Sequence, residues 1–422
     1  MEKSDKLVQF SRAIPLRHQV DVFVAGGGPA GVAAALAAVQ TAGGRQNAPR
    51  VFLAEAESCF GGMGTAGLVP AFMQLTDGVN FLADGIGRMV YERLKQYATL
   101  AVDAPESTVS IQVEVLKRVY DDLMLAAGVG FSFQTQVIGL EVEDGRVQHV
   151  ICAAKSGIFA VKASVYVDAT GDGDLAVWAG APFQLGDDQG KMMPGTLCSL
   201  WADVDWEKVQ GRDDRALEQA FADGVFSVQD RHLPGMWRVG RHVAGGNVGH
   251  TFGVDGTDER SLTQALLWAR RSLAEYERYY KSYLQGFEQM SLVVTGGLLG
   301  LRETRRILGE YELCLADFKQ RAVFEDEIGR YAYPVDIHAS SPNPKDYARF
   351  EAEFAELRYH KGESYGIPYR TLTPKGLANV LVAGRCISTD RFLQGSVRVM
   401  PGCYITGQAA GAAAVLAVEQ NC

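Results

Sequence analysis

The chain has 422 residues, 47 % hydrophobic and 22 % charged, with a formal net charge of −9. That length exceeds one ordinary core and predicts two domains, and the acidic balance argues against a broad nucleic-acid or membrane footprint. No apolar run reaches the roughly 18 residues of a membrane span, and the first residues lack the apolar stretch of a signal peptide. Seven cysteines lie scattered without a Cys-x-x-Cys pair, which predicts a reducing, cytoplasmic setting and no metal site.

Residues 1–17 read as a polar tail. Val22, Phe23, Val24 and Ala25 form an apolar run that predicts a strand buried on both faces. Gly26, Gly28 and Gly31 follow in the G-x-G-x-x-G pattern and lead into an alanine-rich helix. In that place Gly26 allows the tight turn, Gly28 lets backbone approach a pyrophosphate, and Gly31 lets helix pack on strand. The phosphates would rest on the helix N-terminus. A second apolar strand begins at Val51 and ends in Glu55, at about the spacing from the turn expected of a carboxylate on a ribose hydroxyl.

Residues 43–49 predict a surface loop between these two strands. The glycines from Gly61 to Gly67, bounded by apolar residues, predict a loop whose backbone presses against a flat cofactor. Helical spacing covers 81–100 and 112–127. Alternation over 131–137, 139–142 and 147–153, with Asp144-Gly145 between the last two, predicts a hairpin. Val165 to Asp168 is another strand, entering the turn Ala169-Thr170-Gly171. No ribose-binding acid follows it, so it reads as a return to the first cofactor, with no separate nicotinamide-binding domain.

Composition changes over 184–290, where a long amphipathic helix is predicted at 261–285. Residues 311–340 read as short strands and loops, and 367–383 as strand. The chain closes on a helix from Pro401 to Glu419 whose small residues permit close approach to a neighbour.

Taken in order, the glycine turn, Glu55 with Gly61-Gly62, Asp168 to Asp174, Leu301 to Gly309, and Leu381 to Ser388 through Ser396-Val-Arg398 to Gly411 resemble a known family. They look like the FAD-dependent oxidoreductase family within the glutathione-reductase-type FAD-binding fold, over about residues 18–420. The resemblance implies an α/β, doubly wound, Rossmann-like FAD-binding domain with an inserted α+β substrate domain. The first would comprise 18–183 and 371–422. The second would comprise 184–370, with 291–310 an alternative return to the FAD domain.

The resemblance implies one FAD. Gly26, Gly28, Pro29, Ala30 and Gly31 would hold its pyrophosphate, and Glu55 with Ala56 its adenosine ribose. Val137 would meet adenine through its backbone. Gly62, Met63 and Thr65 would line the cofactor. Ala169, Thr170, Gly171, Gly384, Arg385, Ser396 and Met400 would approach the ribityl chain and flavin.

The activity implied is oxidation of a small molecule by hydride transfer to flavin N5, with electrons passing to an unnamed acceptor and no nucleic-acid or membrane partner. The N-terminus of the closing helix is the candidate for stabilising a reduced, anionic flavin. His250 and His338 are the acid–base candidates. His18, His149 and His232 lie in polar or tail contexts and read as ordinary. Arg302, Arg305 and Arg306 could bind an anionic substrate or form a solvated helical face; Arg302 is carried as a catalytic candidate. Tyr369 and Arg398 stand behind these. A partner-docking protein on the same fold and a tRNA-modifying flavoprotein are the rival readings. The intact flavin motifs oppose the first, and the absence of a basic, aromatic-rich extension opposes the second.

Overall fold

Five short strands pair in parallel in the order Val380–Val382, Val165–Asp168, Val22–Ala25, Val51–Ala54, Gly130–Ser132. The structure is a computed structural model, described for residues 8–43, 49–97, 108–233, 235–354 and 356–420. Val22, Phe23, Val24 and Ala25 are fully buried, because helices cover one face of the sheet and a second sheet lies beyond the other. Burying one such valine or phenylalanine contributes about 1.5–3 kcal/mol. Chain order reverses between Val22–Ala25 and Val165–Asp168. That reversal opens a crevice at the carboxyl ends of the strands, where ligands bind in open α/β sheets.

The turn at this crevice is built on close approach. Gly26 has φ +92°, and a Cβ there would fall 2.6 Å from the Ala169 carbonyl oxygen. A Cβ on Gly31 would fall 1.8 Å from the Gly26 carbonyl oxygen. Helix Pro29–Thr41 therefore lies directly on its strand. The closing helix, Met400–Gln420, crosses it through Gly407 and Gly411, whose Cβ atoms would meet Ala30 and Ala34 carbonyl oxygens at 2.1 and 2.0 Å. Met400–Gln420 is long and apolar enough to cross a membrane by length and composition, yet 61 % of its most apolar window is buried inside the protein. Its apolar character serves packing against Pro29–Thr41.

The hairpin forms as expected. Gln136–Glu143 and Arg146–Ala154 pair antiparallel around Asp144 and Gly145, both at positive φ, the geometry of a two-residue hairpin turn. Its sheet continues through Gly157–Lys162 to Leu16–Gln19, so the expected N-terminal tail already contributes an edge strand. The loop predicted at 43–49 and the end of the helix predicted at 81–100 lie partly outside the described residues. Ile86–Tyr97 is helical.

A separate hydrophobic core runs from Leu197 to Leu301. It lies between a four-stranded antiparallel sheet, Ser199–Ala202 to Ser291–Thr295, and the helices Asp214–Ala222 and Glu259–Tyr283. Asp258 caps the long helix by accepting from the Arg260 amide at 2.7 Å. The domain boundary expected at 370 does not coincide with a change of core. Ile307, Leu313, Phe318, Tyr331, Tyr365 and Ile367 all pack into the first core. The crossover falls between Leu301 and Ile307, so 291–310 divides between the two.

Candidate active site

One cavity of about 1220 Å³ runs from the glycine turn to the second core. Drug-sized ligands occupy sites of about 300–1,000 Å³, so this one has room for a dinucleotide and a small second molecule. Gly26, Gly28, Pro29 and Ala30 line it at the N-terminus of the first helix, and a Cβ built on Gly28 meets nothing within 4 Å. Open space at Gly28 and crowding at Gly26 and Gly31 are what a pyrophosphate cradle requires.

Glu55 lines the same end and is buried, which pushes its carboxyl upward against the backbone amides that stabilise the anion. It accepts from the Glu57 amide at 2.7 Å and from the Gly27 amide. These bonds aim the carboxylate and leave it lone pairs for a ribose hydroxyl. Ala56, Gly62, Met63 and Val137 also face the cavity.

The middle of the cavity is braced across the sheet. Asp168 is fully buried and pushed up to about 6 by burial; it accepts from the Thr170 amide and hydroxyl and from the Ala176 amide at 3.1, 2.7 and 2.8 Å. Arg385 donates to the Gly171 carbonyl at 2.9 Å, to the Leu301 carbonyl at 2.6 Å, and to Asp172. Ala169, Thr170, Gly171, Gly384, Arg385 and Met400 all line the cavity. The turn after Asp168 thus lines the same cavity as the Gly26–Gly28 turn.

Three of the expected cofactor residues stand off the cavity. Gly31 is spent on packing against Gly26. Thr65 is fully buried and donates to the Phe60 carbonyl at 2.5 Å, so it shapes the glycine loop from behind. Ser396 is fully buried between the Tyr365 hydroxyl and the Tyr333 carbonyl, at 2.9 and 2.5 Å.

At the far end four groups form a chain. His250 Nδ1 lies 2.8 Å from Asp230 Oδ2; His250 Nε2 faces His338 Nδ1 at 3.0 Å; His338 Nε2 lies 3.2 Å from Asp336 Oδ1. Both imidazoles are buried, and burial holds each below its ordinary pKa, His338 well below. Burial disfavours both carboxylates as anions, but His250 outweighs it at Asp230, and His338, Arg398 and Arg302 outweigh it at Asp336.

His232 is a correction to the sequence reading. It stacks on His250 at 5.1 Å between ring centroids and meets His338 edge-on at 4.2 Å. One ring nitrogen from each of the three histidines lies within 4.8 Å of the others. Burial, with the charges of His250 and Arg302, pulls His232 down to about 3. Its polar neighbours concealed this: the Asp230 carboxylate accepts from the His232 amide at 3.0 Å and turns the loop inward. Asp230 itself had no signal in the sequence.

The three arginines separate. Arg305 lies in the strand Arg305–Ile307 and donates to Asp174 at 2.5 Å. Arg306 is buried against Glu303 at 3.2 Å and the Gly186 carbonyl at 3.0 Å. They are on no helix, and both serve structure. Arg302 alone lines the cavity, where its Nη1 donates to the Pro194 carbonyl at 2.7 Å and to Thr196 Oγ1 at 3.1 Å. Arg398 also lines it and pairs with Asp336 at 2.9 Å, whereas Tyr369 does not line it.

A parallel sheet with an open glycine turn at its switch point, joined through one cavity to a histidine–aspartate chain, is the arrangement expected of a dinucleotide-dependent enzyme. The chain belongs to the FAD dependent oxidoreductase family, whose profile matches residues 21–422, and it is an FAD-dependent oxidoreductase with FAD as its cofactor.

Among solved structures it is similar to a geranylgeranyl bacteriochlorophyll reductase-like protein from Thermoplasma acidophilum, with 13 % identity, a TM-score of 0.52, and coverage of 96 % of this chain and 80 % of that one. That likeness concerns the fold. A p-nitrophenol 4-monooxygenase from Pseudomonas putida DLL-E4 aligns with 13 % identity, a TM-score of 0.44 and 70 % of each chain. No curated protein matches the sequence.

Proposed function

We propose that this enzyme oxidises a small molecule at the histidine end of the cavity, on an FAD-binding domain of the glutathione-reductase type. The inserted second core, Leu197 to Leu301, forms the substrate domain together with the loop that carries Asp336 and His338. The observation that carries this reading is the continuity of one cavity from Gly28 to the His250–His338 pair.

When bound, FAD supplies a hydride acceptor at flavin N5. The chain's own residues supply the acid–base chemistry. Asp230, His250, His338 and Asp336 make three junctions, and two neutral imidazoles bring only two protons to fill them. With each imidazole carrying its proton on the nitrogen beside the carboxylate, the facing nitrogens lack the third proton. The pair is therefore a seat for the proton that a substrate hydroxyl or amine gives up on oxidation. The flanking carboxylates stabilise the cation that results, and the two histidines titrate as one unit. The N-terminus of Met400–Gln420 opens on the cavity through Val399, Met400 and Cys403. Its partial positive charge, roughly half an elementary unit, favours an anion there.

The electron acceptor is a second small molecule or protein, and no nucleic acid or membrane takes part. An anaerobic screen tests the proposal: candidate small molecules are mixed with FAD-loaded protein and the oxidised flavin band is followed. A reducing substrate whose donor carbon shows a deuterium isotope effect on bleaching supports hydride transfer. Bleaching that is insensitive to that deuterium contradicts it.

A further inference from the structure

Arg302 is a buried cation with one edge committed and the other open. Only Nη1 has protein partners, the Pro194 carbonyl and Thr196 Oγ1; among the described residues Nε and Nη2 have none, and no carboxylate pairs with the guanidinium. Its neighbours Arg305, Arg306, Arg385, Arg391 and Arg398 are each paired with an acid. A buried guanidinium without an anion is costly to keep, and a fork of free N–H donors matches a carboxylate in two parallel bonds.

The surroundings agree. The acids beside the histidines are already committed, Asp230 to His250, and Asp336 to His338 and Arg398. The Asn247 side chain adds a polar amide to the same wall. Arg302 also lies close enough to all three histidines for its charge to help hold them neutral, alongside burial. An anion on Arg302 would thus sit beside the proton seat.

We infer that the substrate carries a carboxylate, which Arg302 grips through its free edge while the adjacent carbon presents its hydroxyl or amine to the His250–His338 pair. This rests on the reading of the histidine end as the substrate end, and it narrows the substrate to carboxylic acids oxidised near the acid group. Arg302 sets specificity and position; the histidines take the proton.

The test needs no turnover. Acetate, benzoate and succinate are titrated into FAD-loaded protein, each beside its amide counterpart, with the flavin absorption band as the readout. At least one carboxylate shifts the band saturably while its amide twin does not. Arg302→Met weakens that binding at least tenfold, and Arg302→Lys, which keeps a charge but loses the fork, falls between. Retention of FAD and an unchanged melting temperature establish that both variants are folded. Carboxylate binding is read here without turnover, whereas loss of the base is read as slowed flavin reduction, so this inference and the proposed base fail separately. Absence of any carboxylate-induced shift, equal binding of the amides, or full affinity in folded Arg302→Met overturns it.

Discussion

His250 and His338, 88 residues apart in the chain, face each other ring nitrogen to ring nitrogen at 3.0 Å, each with its other nitrogen against an aspartate. Burial lowers both below the ordinary imidazole pKa of about 6.5. A base works when unprotonated, so a lowered pKa extends its working range toward acid. Substrate-driven flavin reduction is expected to stay level as pH falls through 6.5 and to drop only below it. A midpoint above 6.5 in the rate of anaerobic bleaching would contradict this order of effects.

Glu55 is proposed to anchor the adenosine ribose. Its carboxylate is held by the Gly27 and Glu57 amides and faces the cavity. Glu55→Ala should weaken FAD retention by roughly ten- to a hundredfold, the equivalent of losing a charged hydrogen bond of about 1.5–3 kcal/mol. Apoprotein titrated with FAD measures this directly. Equal affinity in the variant would show that the ribose is held elsewhere.

Gly411 controls how closely the closing helix approaches the first. A Cβ there would lie 2.0 Å from the Ala34 carbonyl oxygen, with backbone on both sides and nowhere for it to yield. Gly411→Val should destabilise the protein by about 1–3 kcal/mol, the usual range for overpacking, and loosen FAD as the two helix N-termini separate. Thermal denaturation with and without added FAD checks both parts. An unchanged melting temperature would mean the helices can slide apart freely.

The clustered nitrogens of His232, His250 and His338 resemble a metal-ligand set by distance. Their arrangement favours another role. His232 and His250 stack with planes 15° apart, so their lone pairs do not converge on one point, and the Arg302 cation lies close enough to act on all three. Treatment with a chelator, followed by gel filtration, should leave FAD content and the rate of flavin reduction unchanged. Restoration of lost activity by a stoichiometric divalent metal would reverse this conclusion.

Much of the cofactor end was legible in the sequence because local chemistry dictates it. Gly26, Gly28 and Gly31 announce a turn by spacing, and Asp144-Gly145 announces a hairpin. The substrate end was legible only in part. His250 and His338 stood out, but Asp230 and His232 sit in the unremarkable stretch Gln229-Asp-Arg-His232, and only folding sets them against residues far away in sequence. Arg302 looked the same as Arg305 and Arg306 in sequence. What separates them is the presence of Asp174 and Glu303 as partners for two of the three. The sequence reading left 291–310 open between the two domains, since Ile307 and Leu313 are apolar residues that either core could have claimed.

The account turns on His338 as part of the base, and anaerobic stopped-flow bleaching of FAD-loaded His338→Ala measures that most directly. The variant should bind FAD as the wild type does, because His338 contacts His250 and Asp336 and takes no part in the glycine turn or in the hydrogen bonds that hold Glu55. Its flavin should be reduced by substrate about 10²–10⁴-fold more slowly, the contribution of a general base. Reduction within threefold of the wild-type rate, in a variant that retains FAD, would contradict the account.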